Sequence, residues 1–266
     1  MLKTYIINLE RSKDRLDNTL SQLDSSNLDI SILKAVDGRT MSSDEVKELC
    51  DAQALKEHPT WLTPGAIGCS LSHLNAYQRM LEDDVDYALI LEDDNNYPSD
   101  LYERCMSWVP HREENEVCLL YYESHGPCEF SSRSLIELNA TNSLVYPIKK
   151  NGPITTGAYL ITKQAAKRLA DLILPVRVAA DTWHYFIDEG ALENLRCYYP
   201  LIVHDANFKS SIGYSKSGLR DRLTSAIDKY RVPILSNVLR EGRKKLRESR
   251  LRFELVDKDD YRFQSK

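Results

Sequence analysis

Glu92, Asp93 and Asp94 stand in an unbroken row directly after Leu89-Ile90-Leu91. Three adjacent carboxylates repel one another, and a cation lying among them relieves that repulsion. All-oxygen donors suit Mg²⁺ or Mn²⁺ rather than zinc. The run Tyr87 to Leu91 has the length and near-continuous apolar character of a strand buried on both faces. Ligands of open α/β sheets sit beyond the carboxyl ends of such strands, which is where the three acids fall. Alternation along an extended chain sends Glu92 and Asp94 to one side and Asp93 to the other. Glu92 and Asp94 thus form an E-x-D pair able to hold a divalent cation and, through it, a diphosphate. Taken alone, an acidic strand end is also an ordinary solvated loop.

The elements that must position this corner alternate along the chain. Lys3 to Leu9 predicts a first strand, Arg11 to Leu23 a helix, and Ile30 to Val36 a second strand closed by the turn pair Asp37-Gly38. Ser42 or Ser43 is expected to cap a helix reaching about Lys56, and Thr63-Pro64 to open one reaching about Leu81. Val117 to Tyr122 repeats the buried-strand pattern. Gly157 to Thr162 predicts another strand, with a helix from Lys163 to about Leu172. Arg196 to His204 is a late strand whose Pro200 marks an edge or a bulge. Strands alternating with helices predict an α/β sheet. A boundary is expected near residues 214–232, giving a main domain over 1–225 and a helical basic tail over 226–266.

Composition narrows the function classes. With 42% apolar residues and only 10 Gly and 10 Pro in 266, the chain can build a core and is neither disordered nor collagen-like. Its six cysteines include no C-x-x-C pair, which predicts reduced, packed thiols rather than a zinc ribbon. No stretch approaches the roughly 20 apolar residues of a membrane span, and the first apolar run is too short for a secretory signal. A cytoplasmic protein is expected. The net charge of −5 is uneven: Arg240, Arg243, Lys244, Lys245, Arg247, Arg250 and Arg252 face only Glu241 and Glu248. A basic segment on an acidic body predicts attraction to an anionic membrane surface and argues against nucleic-acid binding.

Four ordered motifs carry a resemblance to a known family. They are Ile7-Asn8-Leu9-x-Arg11-Ser12-x-x-Arg15 with Ala35-Val36-Asp37-Gly38; Leu62-Thr63-Pro64-Gly65-Ala66-Ile67-Gly68-Cys69-x-x-Ser72-His73; Leu89-Ile90-Leu91-Glu92-Asp93-Asp94; and Thr155-Thr156-Gly157-Ala158-Tyr159-Leu160-Ile161-Thr162 followed by Ala165-Ala166. Together they resemble glycosyltransferase family 25, the lipooligosaccharide galactosyltransferases related to collagen galactosyltransferases, over roughly residues 4–212. Ala66 departs from the family's usual Glu, and Asn95-Asn96 from its apolar pair after the triad. The resemblance implies a GT-A, Rossmann-like nucleotide-binding sheet with flanking helices. It also implies an inverting transfer from UDP-galactose or a similar UDP-sugar to an oligosaccharide or lipid-linked glycan, with Mn²⁺ or Mg²⁺.

The same resemblance assigns candidate residues. Asn8, Arg11, Arg15, Asp37 and Asp93 would serve the nucleotide and diphosphate, arginines being apt phosphate partners. Arg15 reads equally well as a helix-surface cation, and Asp37 as a plain turn residue. Gly68, Ser72 and His73 would face the donor, with Gly68 allowing close approach, and Thr156 and Gly157 would border it. A helical His is also commonly a satisfied buried residue. Asp181 is the candidate general base, with an N-cap as its alternative role, and Trp183 would stack on the acceptor sugar. His204 is the candidate third metal ligand, and Ser210-Ser211-Ile212 would border the donor, with a plain polar loop as its alternative role. Two rival classes stand beside transfer: a divalent-metal phosphohydrolase, which would need a second carboxylate cluster, and a non-catalytic nucleotide-sugar-binding protein.

Overall fold

The computed structural model describes residues 1–23, 27–206, 208 and 249–264. The first half runs β1 (Leu2–Asn8), α1 (Lys13–Gln22), β2 (Leu28–Lys34), α2 (Ser43–Leu49), α3 (Ala52–Glu57), α4 (Pro64–Glu82), β3 (Tyr87–Glu92), β4 (Asn95–Asn96) and α5 (Leu101–Trp108). Next come β5 (Glu116–Leu119), β6 (Cys128–Ser131), β7 (Ile136–Glu137), β8 (Ser143–Val145), β9 (Ala158–Thr162) and α6 (Lys163–Ile173). The last described elements are α7 (Trp183–Asp188), β10 (Asn194–Tyr199), β11 (His204–Asp205) and β12 (Phe253–Val256).

Among the described residues, eight strands form one mixed sheet in the order β2-β1-β3-β9-β5-β10-β8-β7. β1 pairs in parallel with β2 and β3, and β5 with β10, while β9 runs antiparallel between β3 and β5. Side-chain alternation divides the central strands between two apolar layers. Ile90, Tyr159 and Ile161 pack with α4, α6 and α7 on one face; Leu89, Leu91 and Leu160 pack with α5 on the other. The expected α/β sheet with flanking helices is what the chain adopts.

α4 begins as its sequence predicts, with the Thr63 hydroxyl accepting from Ala66 N at 3.3 Å and Pro64 in the first turn. Its first turns lie against the loop after β2. A Cβ on Gly68 would stand 2.6 Å from Val36 O, and one on Gly38 would stand 1.6 Å from Pro64 O. Only glycine permits that contact, and it sets the distance between two walls of the cleft described below.

Three expectations change. The helix predicted from Ser42 to Lys56 is two helices: Cys50 bridges to Val176, and Asp51 starts α3 by accepting from Gln53 N and Ala54 N. The late strand stops at Tyr199 because Pro200 has no N–H for the ladder; His204 and Asp205 instead pair with Asn96 and Asn95. Within the predicted helical tail, Phe253–Val256 is a strand parallel to β6. Arg133 holds this segment through Asp257 and Asp259. The boundary expected at 214–232 lies outside the described residues.

One buried ion pair crosses the interior. Arg196 on β10 donates from Nε and Nη2 to the two Glu116 oxygens at 2.7 and 2.5 Å, with both side chains almost wholly buried. Trp108 Nε1 and Glu113 N donate to the same carboxylate. Glu116→Ala would leave the guanidinium charged and unpaired, so a loss of about 3–5 kcal/mol is expected. Urea unfolding measures it; a loss below about 1 kcal/mol would mean that the pair is not a structural tie.

Candidate active site

The acids at the end of β3 are fixed by backbone on two sides. Glu92 N donates to Gly157 O at 2.8 Å, and Ala206 N donates to Asp94 O at 2.9 Å. Tyr97 Oη donates to Glu92 O at 2.5 Å. The three carboxylates then meet three different fates. Glu92 Oε1 lies 3.3 Å from His73 Nε2 and accepts from Thr156 Oγ1 at 2.6 Å. Burial pushes its carboxyl up, but the hydrogen bond and charge of His73, with Thr156 behind them, hold it below the ordinary range. Asp93 is buried with Asn8 Nδ2 at 2.5 Å and Arg15 Nη2 at 2.7 Å, and burial still raises it. Asp94 meets Arg15 Nη2 at 2.5 Å, yet burial and the charges of Glu92, Asp93 and Asp205 push it up to about 7.

These groups open onto a cleft whose lining includes Arg11, Asp37, Cys69, His73, Glu92 and Asp94. At its mouth Arg11 pairs with Asp37, which also accepts from Arg39. Asp37 caps a short 3₁₀ turn over Gly38–Thr40 as well, so its turn role and its place in the cleft coexist.

Asp181 does not cap α7; Thr182 occupies that position. Its carboxyl is raised by burial and by the charge of Glu92, and a backbone hydrogen bond from Thr155 pulls the other way. It also lies within electrostatic reach of Cys69. Thr155 adopts φ +89°, a region β-branched residues rarely enter. The conformation is held by Trp183 Nε1 donating to Thr155 O at 3.0 Å and Thr155 Oγ1 donating to Tyr121 O at 3.2 Å.

Several predicted residues take other roles. Trp183 is fully buried against Tyr159 and Phe186, so no ring face remains for a sugar; it positions Thr155 instead. Gly68 gives its space to the loop after β2 rather than to a ligand. Ser72 Oγ accepts from Val36 N at 2.8 Å and donates to Gly68 O at 2.6 Å, tying the same contact. Gly157 makes room for Tyr121 and Asn95. Arg15, with its side chain 9% exposed, is not a surface cation; it lines the cleft and clamps two of the acids. His204 is exposed and lines a separate groove with Asn96 and Arg104, away from the acids. Its neighbour Asp205 is the residue whose charge reaches Asp94. Ser210-Ser211-Ile212 lies outside the described residues. Cys69 and Asp205 were not singled out by sequence reasoning, although Cys69 lies four residues before His73, the spacing of one helix face.

The family model described as "Glycosyltransferase family 25 (LPS biosynthesis protein)" matches residues 1–184. Procollagen galactosyltransferase 1 of Danio rerio is 30% identical over 245 residues, covering 85% of this chain and 39% of its own length. Procollagen galactosyltransferase 2 of Homo sapiens is 26% identical over 117 residues, covering 42% and 19%. Among solved structures, a glucose-1-phosphate thymidylyltransferase from Bacillus anthracis overlaps 80% of this chain and 99% of its own, at a TM-score of 0.42 and 13% identity. The chain spans less than half the length of the curated relatives it matches.

Asp94 dominates the pH response of this corner. Its carboxyl stands at about 7 when folded, against about 3.9 when unfolded. The folded state therefore holds the extra proton between those values and loses stability as pH rises through 7. Metal-free protein is expected to be less stable at pH 8 than at pH 6, by about 1–2 kcal/mol after allowance for solvent at this carboxylate. Asp94→Asn should remove most of that difference. Calorimetric melting at the two pH values checks this; an unchanged pH slope in the variant would contradict it.

Proposed function

The chain belongs to glycosyltransferase family 25, and we propose that it moves a sugar, galactose first, from a UDP-sugar to a hydroxyl of an oligosaccharide or lipid-linked glycan. The single observation that carries this reading is the row of Glu92, Asp93 and Asp94 lining a cleft that also holds Arg11 and Asp37. Carboxylate oxygens of Asp94 and Glu92, with Asp205 beside them, fit a hard divalent cation, and the burial and neighbouring acids that raise the Asp94 carboxyl are both conditions a cation would relieve. Mn²⁺ or Mg²⁺ held there would supply a Lewis acid for the charge growing on a departing diphosphate.

The chain's own residues divide the remaining work. Arg15 keeps the acids in place, while Arg11 can exchange Asp37 for a phosphate oxygen. Asp181, its proton affinity raised by burial, serves as the base. The acceptor oxygen forms its bond to the anomeric carbon as the bond to the UDP oxygen breaks, and the acceptor proton passes to Asp181. The stereochemistry inverts.

A lipooligosaccharide-type acceptor and a peripheral place on the cytoplasmic membrane face belong to the same proposal. No helix among the described residues is long and apolar enough to cross a membrane. Of the seven cations between Arg240 and Arg252, Arg250 pairs with Glu123 and Arg252 with Glu254.

With UDP-galactose, Mn²⁺ and a panel of glycan acceptors, mass spectrometry is expected to show galactosylated product. Free galactose and UDP alone would favour a hydrolase, and UDP binding without turnover a binding protein. Asp181→Asn should lower kcat by about 10²–10⁴-fold with UDP affinity retained. Near-full turnover in that variant would place the base elsewhere.

A further inference from the structure

Cys69 and His73 are four residues apart on α4, so their side chains leave one face of the helix, one above the other. Glu92 faces them from the end of β3. One donor atom from each residue, a sulfur, an imidazole nitrogen and a carboxylate oxygen, lies within 4.8 Å of the other two. Around a tetrahedral ion with bonds of about 2.0–2.3 Å, donors stand about 3.3–3.8 Å apart. The 3.3 Å between His73 Nε2 and Glu92 Oε1 already matches that spacing.

We propose that Cys69, His73 and Glu92 form a zinc site, different in donor chemistry from the all-oxygen corner at Asp94, and that zinc bound there switches sugar transfer off. A thiolate, an imidazole and a carboxylate are a set that selects zinc over Mn²⁺ and Mg²⁺. The thiolate and carboxylate charges balance the dication. The fourth position faces the cleft that Cys69, His73 and Glu92 all line.

The groups behind the three donors fit this role as well. His73 Nδ1 lies 2.7 Å from Tyr159 Oη, which lies 3.0 Å from Tyr77 Oη. With zinc on Nε2, Nδ1–H donates to Tyr159 and Tyr159 donates to Tyr77, which fixes the imidazole tautomer. Burial, followed by the charges of Glu92, Asp181 and Asp94, raises the Cys69 thiol well above its ordinary value, and those same negative charges favour a cation beside it. On binding, the Cys69 S–H bond breaks, a Zn–S bond forms and the proton leaves to solvent; nothing is oxidised or reduced. Glu92 then belongs to zinc and is withdrawn from the cation at Asp94. The site itself stands apart from the transferase reading, whereas its effect on turnover rests on that reading.

The test uses the metal-free full chain with Zn²⁺ and Co²⁺ as probes. One zinc per chain is expected by competition with a chromogenic chelator. Co²⁺ should give intense tetrahedral visible bands and a near-ultraviolet thiolate-to-cobalt charge-transfer band. Cys69→Ser and Cys69→Ala should each remove that band and weaken zinc at least about tenfold, and raise the zinc concentration that halves turnover in excess Mn²⁺ by a similar factor. Asp94→Asn should keep the band while losing Mn²⁺. A wild-type cobalt spectrum without charge transfer would overturn the site without depending on any variant's folding, and so would equal zinc affinity in both Cys69 variants. Zinc bound as described with turnover untouched would overturn the switch. Absence of transfer with every donor would instead sink the transferase reading and leave the metal titrations standing.

Discussion

At the end of β3, the charges of Glu92, Asp93 and Asp205 all act on Asp94, and the buried guanidinium of Arg15 pairs with Asp93 and Asp94. Two like charges 4 Å apart cost about 4 kcal/mol at an effective dielectric of 20. The chain answers this repulsion unevenly. Asp93 receives Asn8 and half of Arg15; Glu92 receives His73 and Thr156; Asp94 receives the rest of Arg15 and the field of its neighbours. Asp94 is the group at which burial and this imbalance together appear, as a carboxyl raised to about 7. A protein could have removed that imbalance with one more arginine. In the proposed function, a cation arriving with its ligand would balance it instead.

The scaffold around this corner consists of backbone contacts that tolerate little change. Gly38 and Gly68 bring α4 against the loop after β2, and Ser72 bonds across the same seam, so Cys69 and His73 reach the cleft from a fixed distance. On the opposite wall Thr155 is held at φ +89° by Trp183 and Tyr121, which sets Thr156 to bond Glu92 and the Thr155 N–H to bond Asp181. Strain of this kind costs about 1–3 kcal/mol and persists only where surrounding structure over-determines it. Trp183 provides that determination from inside the core.

Much of this was legible before any coordinates. The apolar run of β3 and its acidic end, the Thr63-Pro64 start of α4, and the alternation of strands and helices are local signals, and each lies where expected. What sequence could not convey is direction. His204 and Asp205 are adjacent, and which one faces Asp94 depends on the pairing of Asp205 with Asn95, a contact more than a hundred residues distant in the chain. Trp183 advertises an aromatic ring but not its complete burial. Arg15 sits on a short helix with no sign that its charge turns inward to Asp93 and Asp94. Phe253–Val256 is a four-residue strand after a strongly basic stretch, too brief for period-two alternation to announce itself.

Burial sorts the two arginines of the first motif into different duties. The Arg11–Asp37 pair is partly exposed, at 37% and 23%, and an ion pair of that kind contributes about 0–1 kcal/mol. A charge-assisted contact to a phosphate is roughly twice as strong as a neutral hydrogen bond, so a diphosphate entering the cleft can displace Asp37 at small cost. Arg15 is paired at 9% exposure with Asp93 at 7%, and removing one partner of such a buried pair costs about 3–5 kcal/mol. Arg15 therefore stays with the acids whatever binds, and its charge is already counted in the Asp94 balance. In the proposed reaction, ligand recognition at the first motif falls to Arg11, and Arg15 fixes how much positive charge the incoming cation must add.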